Sequence, residues 1–162
     1  MLKIATYPQP ILRRTAKEVK VFDQELKDLA LAMAKIMYED DGIGLAAPQV
    51  SVSQRLLVIG AKDGKSFKAY INPEITFFSK EKCVNEEGCL SLPKIYGLVQ
   101  RSKKIHVKYQ DLDAKWQKEK IKDFNAIILQ HEIDHLNGIL FIDRVSKITQ
   151  GQDLLEALKA KL

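Results

Sequence analysis

The chain has 162 residues, 46% of them hydrophobic and 29% charged, which is enough apolar material for a single globular domain over 1–162 that needs no disulfides. No apolar stretch approaches about 18 residues and the first residues lack an apolar leader, so neither a membrane span nor secretion is expected, and the expected location is cytoplasmic. The net charge is +5, but the lysines are scattered over 102–104, 115–122 and 159–161 without interleaved aromatic residues, so sequence-specific nucleic-acid binding is not expected.

The first 22 residues are expected to form an extended entry to the domain. The segment Tyr7-Pro8-Gln9-Pro10 restricts the backbone, and a single helical turn is predicted after it. A longer amphipathic helix is predicted over 24–39, because apolar residues recur at helical spacing behind Asp23, a favourable N-cap. Those apolar residues are Leu26, Leu29, Ala30, Met33, Ile36 and Met37. This helix is expected to contribute packing.

The segment 40–50 ends the helix and is rich in small residues. Gly42, Gly44 and Pro48 lie close together, and small side chains allow a backbone to approach another group closely. A phosphate-binding loop is disfavoured, because the segment has no Gly-Lys-Ser/Thr and no strand before it. Composition alone leaves a tight turn without function and a close backbone contact as open alternatives.

Apolar runs of β type follow. The runs 55–61 and 66–72 flank Asp63-Gly64, a sequence that favours a hairpin. A separate strand is predicted over 75–78, starting after Pro73. These runs predict antiparallel pairing in the middle of the chain.

Two further strands are predicted closer to the C-terminus. Alternation over 104–109 predicts a half-buried strand with His106 on its polar side, and a partner is expected around 116–121, with Trp116 in packing. The acidic, small-residue segment 85–93 is predicted to be a loop between strands. Strands followed by one late buried helix predict an α+β fold, with antiparallel β-sheets packed around that helix.

This late helix is predicted to run from an N-cap at Asp123 to Asn137, and it carries the sequence His131-Glu132-Ile133-Asp134-His135. Its residues are apolar almost all round, which indicates burial, and Gly138 is suited to end it. Residues four apart lie on one helix face, so the two imidazoles can chelate one divalent metal while Glu132 handles the proton of an activated water. The sequence therefore predicts a metallohydrolase.

Two histidines leave the metal short of a ligand, and the sequence offers more than one candidate. Phe141 stands where a metzincin would have its third histidine. Glu156 has roughly the spacing of a thermolysin-like ligand, but it lies in a short amphipathic helix predicted over 151–162. Cys89 follows a glycine in the acidic segment, and a thiolate with two imidazoles leaves an open, catalytic position. Cys83 is expected to be a small buried hydrophobe. A zinc endopeptidase using Glu156 and a purely structural metal domain remain the alternatives.

Three segments, 42–49, 87–91 and 130–135, resemble in order and spacing the three motifs of peptide deformylases. They read Gly-Ile-Gly-Leu-Ala-Ala-Pro-Gln, Glu-Gly-Cys-Leu-Ser and Gln-His-Glu-Ile-Asp-His. The resemblance spans roughly 1–150 and is to the compact bacterial form with a C-terminal helix. Tyr96 departs from members that carry an arginine there, which affects substrate contact at the rim.

The resemblance implies a metal-dependent amide hydrolase that removes the N-formyl group from the formylmethionine of nascent polypeptides and releases formate. It assigns catalysis to Glu132, Gln49, the Leu90 backbone N–H and Gly44. It assigns metal binding to Cys89, His131 and His135. It assigns substrate binding to Ile43, Gly44, Glu87, Gly88, Phe124, Ile127 and Ile128. A pair between Glu87 and Arg101 is expected to brace the cysteine segment.

The cofactor implied by the resemblance is one divalent metal ion. Ferrous iron is expected in cells, and Zn²⁺, Ni²⁺ or Co²⁺ also suit a site with one sulfur and two nitrogens. The expected partners are N-formylmethionyl nascent peptides and the ribosome, the latter through Lys159 and Lys161 of the C-terminal helix. No membrane partner is expected.

Overall fold

The computed structural model describes residues 1–162 and contains three α-helices and eight β-strands. The helices are α1 (Gln24–Glu39), α2 (Asp123–Leu136) and α3 (Gln152–Lys159). The strands are β1 (Gly44–Ala46), β2 (Leu56–Gly60), β3 (Phe67–Phe78), β4 (Lys82–Cys89), β5 (Leu92–Ser102), β6 (Lys104–Gln110), β7 (Trp116–Lys122) and β8 (Val145–Gln150). They form a five-stranded sheet in the order β1-β2-β3-β6-β7 and a three-stranded sheet in the order β4-β5-β8. All pairings within these sheets are antiparallel, which confirms the α+β class.

Helix α1 forms where its periodicity predicts it. The Asp23 carboxylate accepts a hydrogen bond from the Leu26 N–H at 3.0 Å, so the predicted N-cap is confirmed. Met33 and Met37 are fully buried and pack in one core cluster with residues of β2. The helix therefore closes one side of the large sheet. The predicted single turn before it also forms, over Pro10–Arg13.

Helix α2 is the most deeply buried element. All eleven residues from 126 to 136 are buried, and the helix contacts the large sheet together with β5 of the small one. It begins at Asp123 itself, so Lys122 and not Asp123 occupies the N-cap position. Asn137 is the C-cap and Gly138 follows with φ +72°, as the sequence predicts. The helix is thus held rigidly between the two sheets.

Three predictions about the strands are wrong. Strand β3 runs without a break through Pro73, because a register shift between Ile71 and Glu74 accommodates a residue that has no N–H to donate. The segment 85–93, predicted as a loop, contains the end of β4 and the start of β5. Trp116 is 55% exposed, so it does not pack in the core.

Strands β1 and β4 are edge strands of their respective sheets. An edge strand leaves backbone N–H and C=O groups without strand partners. Gly44 on β1 and Gly88 on β4 line the same cavity. The two sheets therefore present unpaired strand edges to one shared cavity.

The C-terminal helix is shorter than predicted. Helix α3 spans Gln152–Lys159, within the predicted 151–162, and its Leu155 is buried in a core cluster with residues of β5. No helix of the structure combines the length and apolarity needed to cross a membrane.

Candidate active site

A cavity of about 780 Å³ opens at the N-terminal part of α2. Its volume falls in the usual range for small-ligand pockets, about 300–1,000 Å³. Every predicted site residue except His135 lines it. These are Ile43, Gly44, Gln49, Glu87, Gly88, Cys89, Leu90, Phe124, Ile127, Ile128, His131 and Glu132. His135 is 1% exposed and lies one helical turn from His131.

The structure brings Cys89, His131 and His135 together. Each presents one donor atom, and the three atoms lie within 4.8 Å of one another. The Cys89 Sγ is 3.3 Å from the His135 Nε2. Ligand atoms bound about 2.0–2.3 Å from a tetrahedral cation lie about 3.3–3.8 Å apart, so these three residues fit a metal ion. The last residue of β4 thereby places a third donor atom beside the two imidazoles of α2.

The His131 ring is oriented by Glu87. Its Nδ1 donates a hydrogen bond to the Glu87 Oε1 at 2.8 Å, which leaves Nε2 for a ligand. Burial alone would raise the pKa of Glu87, but hydrogen bonds from Arg101 and His131 outweigh it and lower that pKa to about 2. Glu87 is therefore a carboxylate that holds the ring in place.

Arg101 joins Glu87 to the far side of α2. Its guanidinium donates to both Glu87 oxygens at 2.8 and 2.9 Å, which confirms the predicted pair, and to the Asp134 Oδ2 at 2.6 Å. Arg144 also donates to Asp134, at 2.7 and 3.0 Å. The four residues with His131 form one chain of charge-assisted hydrogen bonds. This chain fixes the orientation of the His131 ring.

Replacing Arg101 with methionine should destabilise the protein by about 3–5 kcal/mol, because the buried carboxylates of Glu87 and Asp134 would lose their shared cation. Arg101 is 4% exposed. Lys103→Met is the matched control, since its pair with Glu81 is largely exposed and such pairs contribute about 0–1 kcal/mol. Urea unfolding of both variants measures the difference, and equal losses would contradict the role given to Arg101.

Glu132 and His135 are both strongly affected by burial. Burial raises the pKa of Glu132 to about 7, and the charges of Glu87 and Asp134 act in the same direction. Burial, with the charges of His131 and Arg101, holds the pKa of His135 well below its usual value. His135 is therefore neutral near pH 7, which is the form that binds metal.

The pKa of His131 is raised, whereas that of His135 is lowered. Burial lowers the pKa of His131, but the hydrogen bonds to Cys89 and Glu87 outweigh burial and raise it well above the ordinary value. The two histidines of the motif thus have different environments.

Gln49 is held with its amide nitrogen toward the cysteine. Its Oε1 accepts from the Ala46 N–H at 3.0 Å, and its Nε2 lies 3.4 Å from the Cys89 Sγ and 3.2 Å from the Ser91 Oγ. The contact with Ala46 fixes which end of the amide faces the site. The Gln49 amide is therefore held in one orientation, with its N–H donors toward Cys89 and Ser91.

An apolar wall lies beside these polar groups. Ile127 and Ile128 are 7% and 8% exposed and line its inner part, whereas Ile43 and Phe124 are exposed at the opening. Tyr96 packs directly over Gly88, where an added Cβ would lie 2.5 Å from its Cε1. The tyrosine thus forms part of the rim.

Sequence reasoning missed Ser91, Asp134 and Arg144. A buried aspartate in an otherwise apolar helix is a signal for Asp134, because such a charge needs a partner. Glu156, the alternative metal ligand, is exposed on α3 and accepts a hydrogen bond from the Gln152 Nε2 at 3.0 Å. It does not belong to the metal-binding group.

Comparison with known proteins identifies the family. The family model for polypeptide deformylase matches residues 1–151. A peptide deformylase from Thermotoga maritima is 47% identical over 146 residues, which cover 90% of this chain and 88% of the relative. The crystal structure of the Thermotoga maritima enzyme aligns with a TM-score of 0.87 at 46% identity, covering 90% of this chain and 98% of that chain. A Met-Ala-Ser bound class I type b peptide deformylase from Acinetobacter baumannii aligns with a TM-score of 0.84 at 38% identity, covering 89% and 98%. The chain belongs to the polypeptide deformylase family, whose members are metal-dependent hydrolases that deformylate nascent peptides.

Proposed function

We propose that this chain removes the formyl group from the N-terminal formylmethionine of nascent polypeptides, with Cys89, His131 and His135 holding one divalent metal ion. The observation that carries the proposal is the convergence of one thiol and two imidazoles beside the buried carboxylate of Glu132, in a cavity with an apolar wall. The cytoplasm, where nascent chains are made, is the proposed location.

The three donors suit a metal of intermediate softness. A thiolate with two neutral imidazoles is compatible with Fe²⁺, Zn²⁺, Ni²⁺ and Co²⁺, and we assign Fe²⁺ in cells from the motif resemblance. When bound, such a cation supplies Lewis acidity that polarises a carbonyl and lowers the pKa of water toward neutrality.

Glu132 carries the proton transfers in this mechanism. Its Oε2 is buried without a hydrogen-bond partner, and Glu132 lines the cavity. Glu132 takes a proton from the attacking water as the water oxygen bonds to the formyl carbon, and returns it to the nitrogen as the C–N bond breaks. The products are formate and a free amine. Gln49 Nε2 and the Leu90 N–H donate to the formyl oxygen as it gains negative charge.

The peptide is held by the open edge of β1. The Ile43 carbonyl accepts from the Gly60 N–H at 2.9 Å, so in the alternating antiparallel pattern the N–H and C=O of Gly44 point away from β2. An extended peptide pairs with these groups as an added strand, and Gly88 on the β4 edge lies across the cavity. The substrate thus lies between the edges of both sheets.

The methionine side chain enters the apolar part of the cavity. Ile127 and Ile128 form its inner wall, and Ile43 and Phe124 lie at its opening. A flexible thioether fills irregular apolar space well. This arrangement selects an unbranched apolar first residue.

Gly44→Ala should lower kcat/KM by about tenfold or more, because a displacement of about 1 Å at a reacting group costs about 10²-fold. The added methyl would lie 2.9 Å from the Glu132 Cγ and 3.0 Å from its Oε1. Gly64→Ala is the control for kcat/KM, since no atom lies within 4 Å of its added methyl and Gly64 does not line the cavity. Its φ of +70° strains only the turn in which it lies. Steady-state kinetics on a formyl-Met peptide test this, and wild-type kinetics for Gly44→Ala would contradict the placement of Glu132.

The C-terminal helix is the proposed ribosome contact, through Lys159 and Lys161. Cations near a helix C-terminus are also favourable for the helix itself, so the two roles need separating. Replacing both lysines with glutamine should weaken co-sedimentation with ribosomes while the helix stays folded. Unchanged co-sedimentation would exclude this contact.

Formate release tests the activity directly. The protein purified with its metal should release formate from formyl-Met-Ala-Ser and leave acetyl-Met-Ala-Ser unchanged. Hydrolysis of internal peptide bonds in a longer unmodified peptide, without formate release from the formyl peptide, would support an endopeptidase instead.

A further inference from the structure

The outer face of β6 and β7 gathers basic residues that are scattered in the sequence. In the antiparallel register Lys104 is opposite Lys122, His106 opposite Lys120, and Lys108 opposite Lys118. Residues directly opposite one another lie on the same face of a sheet. We call the lysines of this surface, with its aromatic residues, the basic sheet face. It comprises Lys104, Lys108, Lys118, Lys120, Lys122, His106, Trp116 and Phe77.

None of the five lysines of this face forms an ion pair. Other lysines do form ion pairs, for example Lys68 with Glu119. Glu119 is on β7 but on the opposite face of the sheet, because its partner in the register is the buried Val107. The carboxylate closest in register to the basic sheet face is Glu74, opposite Lys108 on β3. The face therefore carries cationic charge that the protein does not neutralise.

Exposed aromatic rings accompany these charges. Trp116 is 55% exposed, and the Lys108 Nζ lies 4.6 Å from the centroid of its ring. Phe77 is 46% exposed, and its ring centroid lies 4.6 Å from that of His106. Trp116 lies within the lysine-rich segment 115–122, so the expectation that no aromatic residue is interleaved there is wrong. Phe77 and the other lysines of the face come from two further strands.

Protection of a sheet edge explains only part of the face. Strand β7 is an edge strand, and edge lysines prevent pairing with other chains. Lys104 and Lys108, however, lie on β6, which is paired on both sides. Edge protection also gives no reason for exposed Trp116 and Phe77. A ligand that uses both charge and ring stacking accounts for all of them.

We propose that the basic sheet face binds RNA with unpaired bases, without sequence preference. Lysines on a sheet contact phosphates, and exposed rings stack on bases of any identity. Lys122, at one end of the face, is two residues from Phe124 at the opening of the active-site cavity. We assign this RNA to the ribosome, because the nascent substrate emerges there. This assignment rests on the proposed function. The face lies on the large sheet and is distinct from α3.

Trp116 is the only tryptophan of the chain, so its fluorescence reports on this face alone. Adding a 12-nucleotide single-stranded RNA should quench it. Each phosphate contact contributes about 0.7 to the slope of log Kd against log salt, so five lysines predict a slope of up to about 3.5. Anisotropy of a labelled RNA at several salt concentrations measures this slope.

Two variants separate the contributions of charge and stacking. Changing Lys118, Lys120 and Lys122 together to glutamine should weaken RNA binding by about 10–100-fold and lower the slope by about 2. The control changes Lys20, Lys35 and Lys62, three exposed lysines without ion pairs elsewhere, and alters the net charge equally. Trp116→Ala should weaken binding about fivefold or more, and Trp116→Phe should largely restore it.

The variant changed at Lys118, Lys120 and Lys122 and the Trp116→Ala variant should co-sediment less with ribosomes than the control variant does. Both should keep wild-type formate release from a free formyl peptide. Equal RNA affinity in the two triple-lysine variants would overturn the proposal. The proposal would also be overturned if the protein bound poly-glutamate or anionic vesicles, if that binding depended on the same three lysines, and if Trp116→Ala had no effect on it. Binding of free RNA without any effect of these variants on ribosome co-sedimentation would overturn the ribosomal assignment. Absence of formate release from all proteins would overturn the proposed function and leave the RNA result standing.

Discussion

Replacing Glu132 with glutamine should lower kcat for deformylation by about 10²–10⁴-fold, the usual contribution of a positioned general base. Glutamine has nearly the same shape, so it should fill the same buried position, but it cannot accept the proton of water. Glu132 does not belong to the metal-binding group, so the variant should bind metal as the wild type does. Single-turnover kinetics with metal analysis of the same sample measure both quantities.

Glu156→Gln is the matched control, because Glu156 is an exposed glutamate on α3. It should keep wild-type kcat and metal content. A Glu132→Gln protein with undiminished kcat would contradict the mechanism and would support a metal site with only a structural role. Loss of metal in Glu156→Gln would revive the thermolysin-like arrangement.

Cys89→Ala should abolish metal binding and with it formate release. The thiol is one of only three donors, and removing it leaves two imidazoles, so a loss in metal affinity of more than about 10²-fold is expected. Cys83→Ala is the control. Cys83 lies on the same strand, and its Sγ is 3.8 Å from the Arg101 carbonyl oxygen, outside the metal-binding group.

To test this prediction, metal content is measured by mass spectrometry and formate release is assayed on the same preparation of each variant. Cys83→Ala should match the wild type in both. Full metal content in Cys89→Ala would show that another side chain completes the site, and the assignment of Cys89 would then fail.

The helices were predictable because their signals are local. The apolar spacing behind Asp23 indicates one helix, and the apolar residues on every side of 124–136 indicate another, each without reference to the rest of the chain. Strand β4 was not, because it is an edge strand with mostly exposed polar residues and so lacks the alternation that marks a strand. Strand β8 is similar, with no buried residue among its six.

The grouping of Cys89 with His131 and His135, and the residues that line the cavity, were predictable from the three motifs. The chain of contacts from Arg144 through Asp134 and Arg101 to Glu87 was only partly predictable, because its members come from separate elements. The basic sheet face was only partly predictable. The alternation over 104–109 places Lys104, His106 and Lys108 on one face, but the pairing that brings Lys118, Lys120 and Lys122 beside them was not predicted.

The central claim is that one bound metal ion makes this chain a deformylase. The most direct test is to titrate metal-free protein with Fe²⁺ under anaerobic conditions and to measure formate release from formyl-Met-Ala-Ser at each step. We expect activity to rise linearly and to stop rising at one metal ion per chain, with equal amounts of formate and free amine. Formate release by the metal-free protein, or a fully loaded protein that releases none, would contradict it.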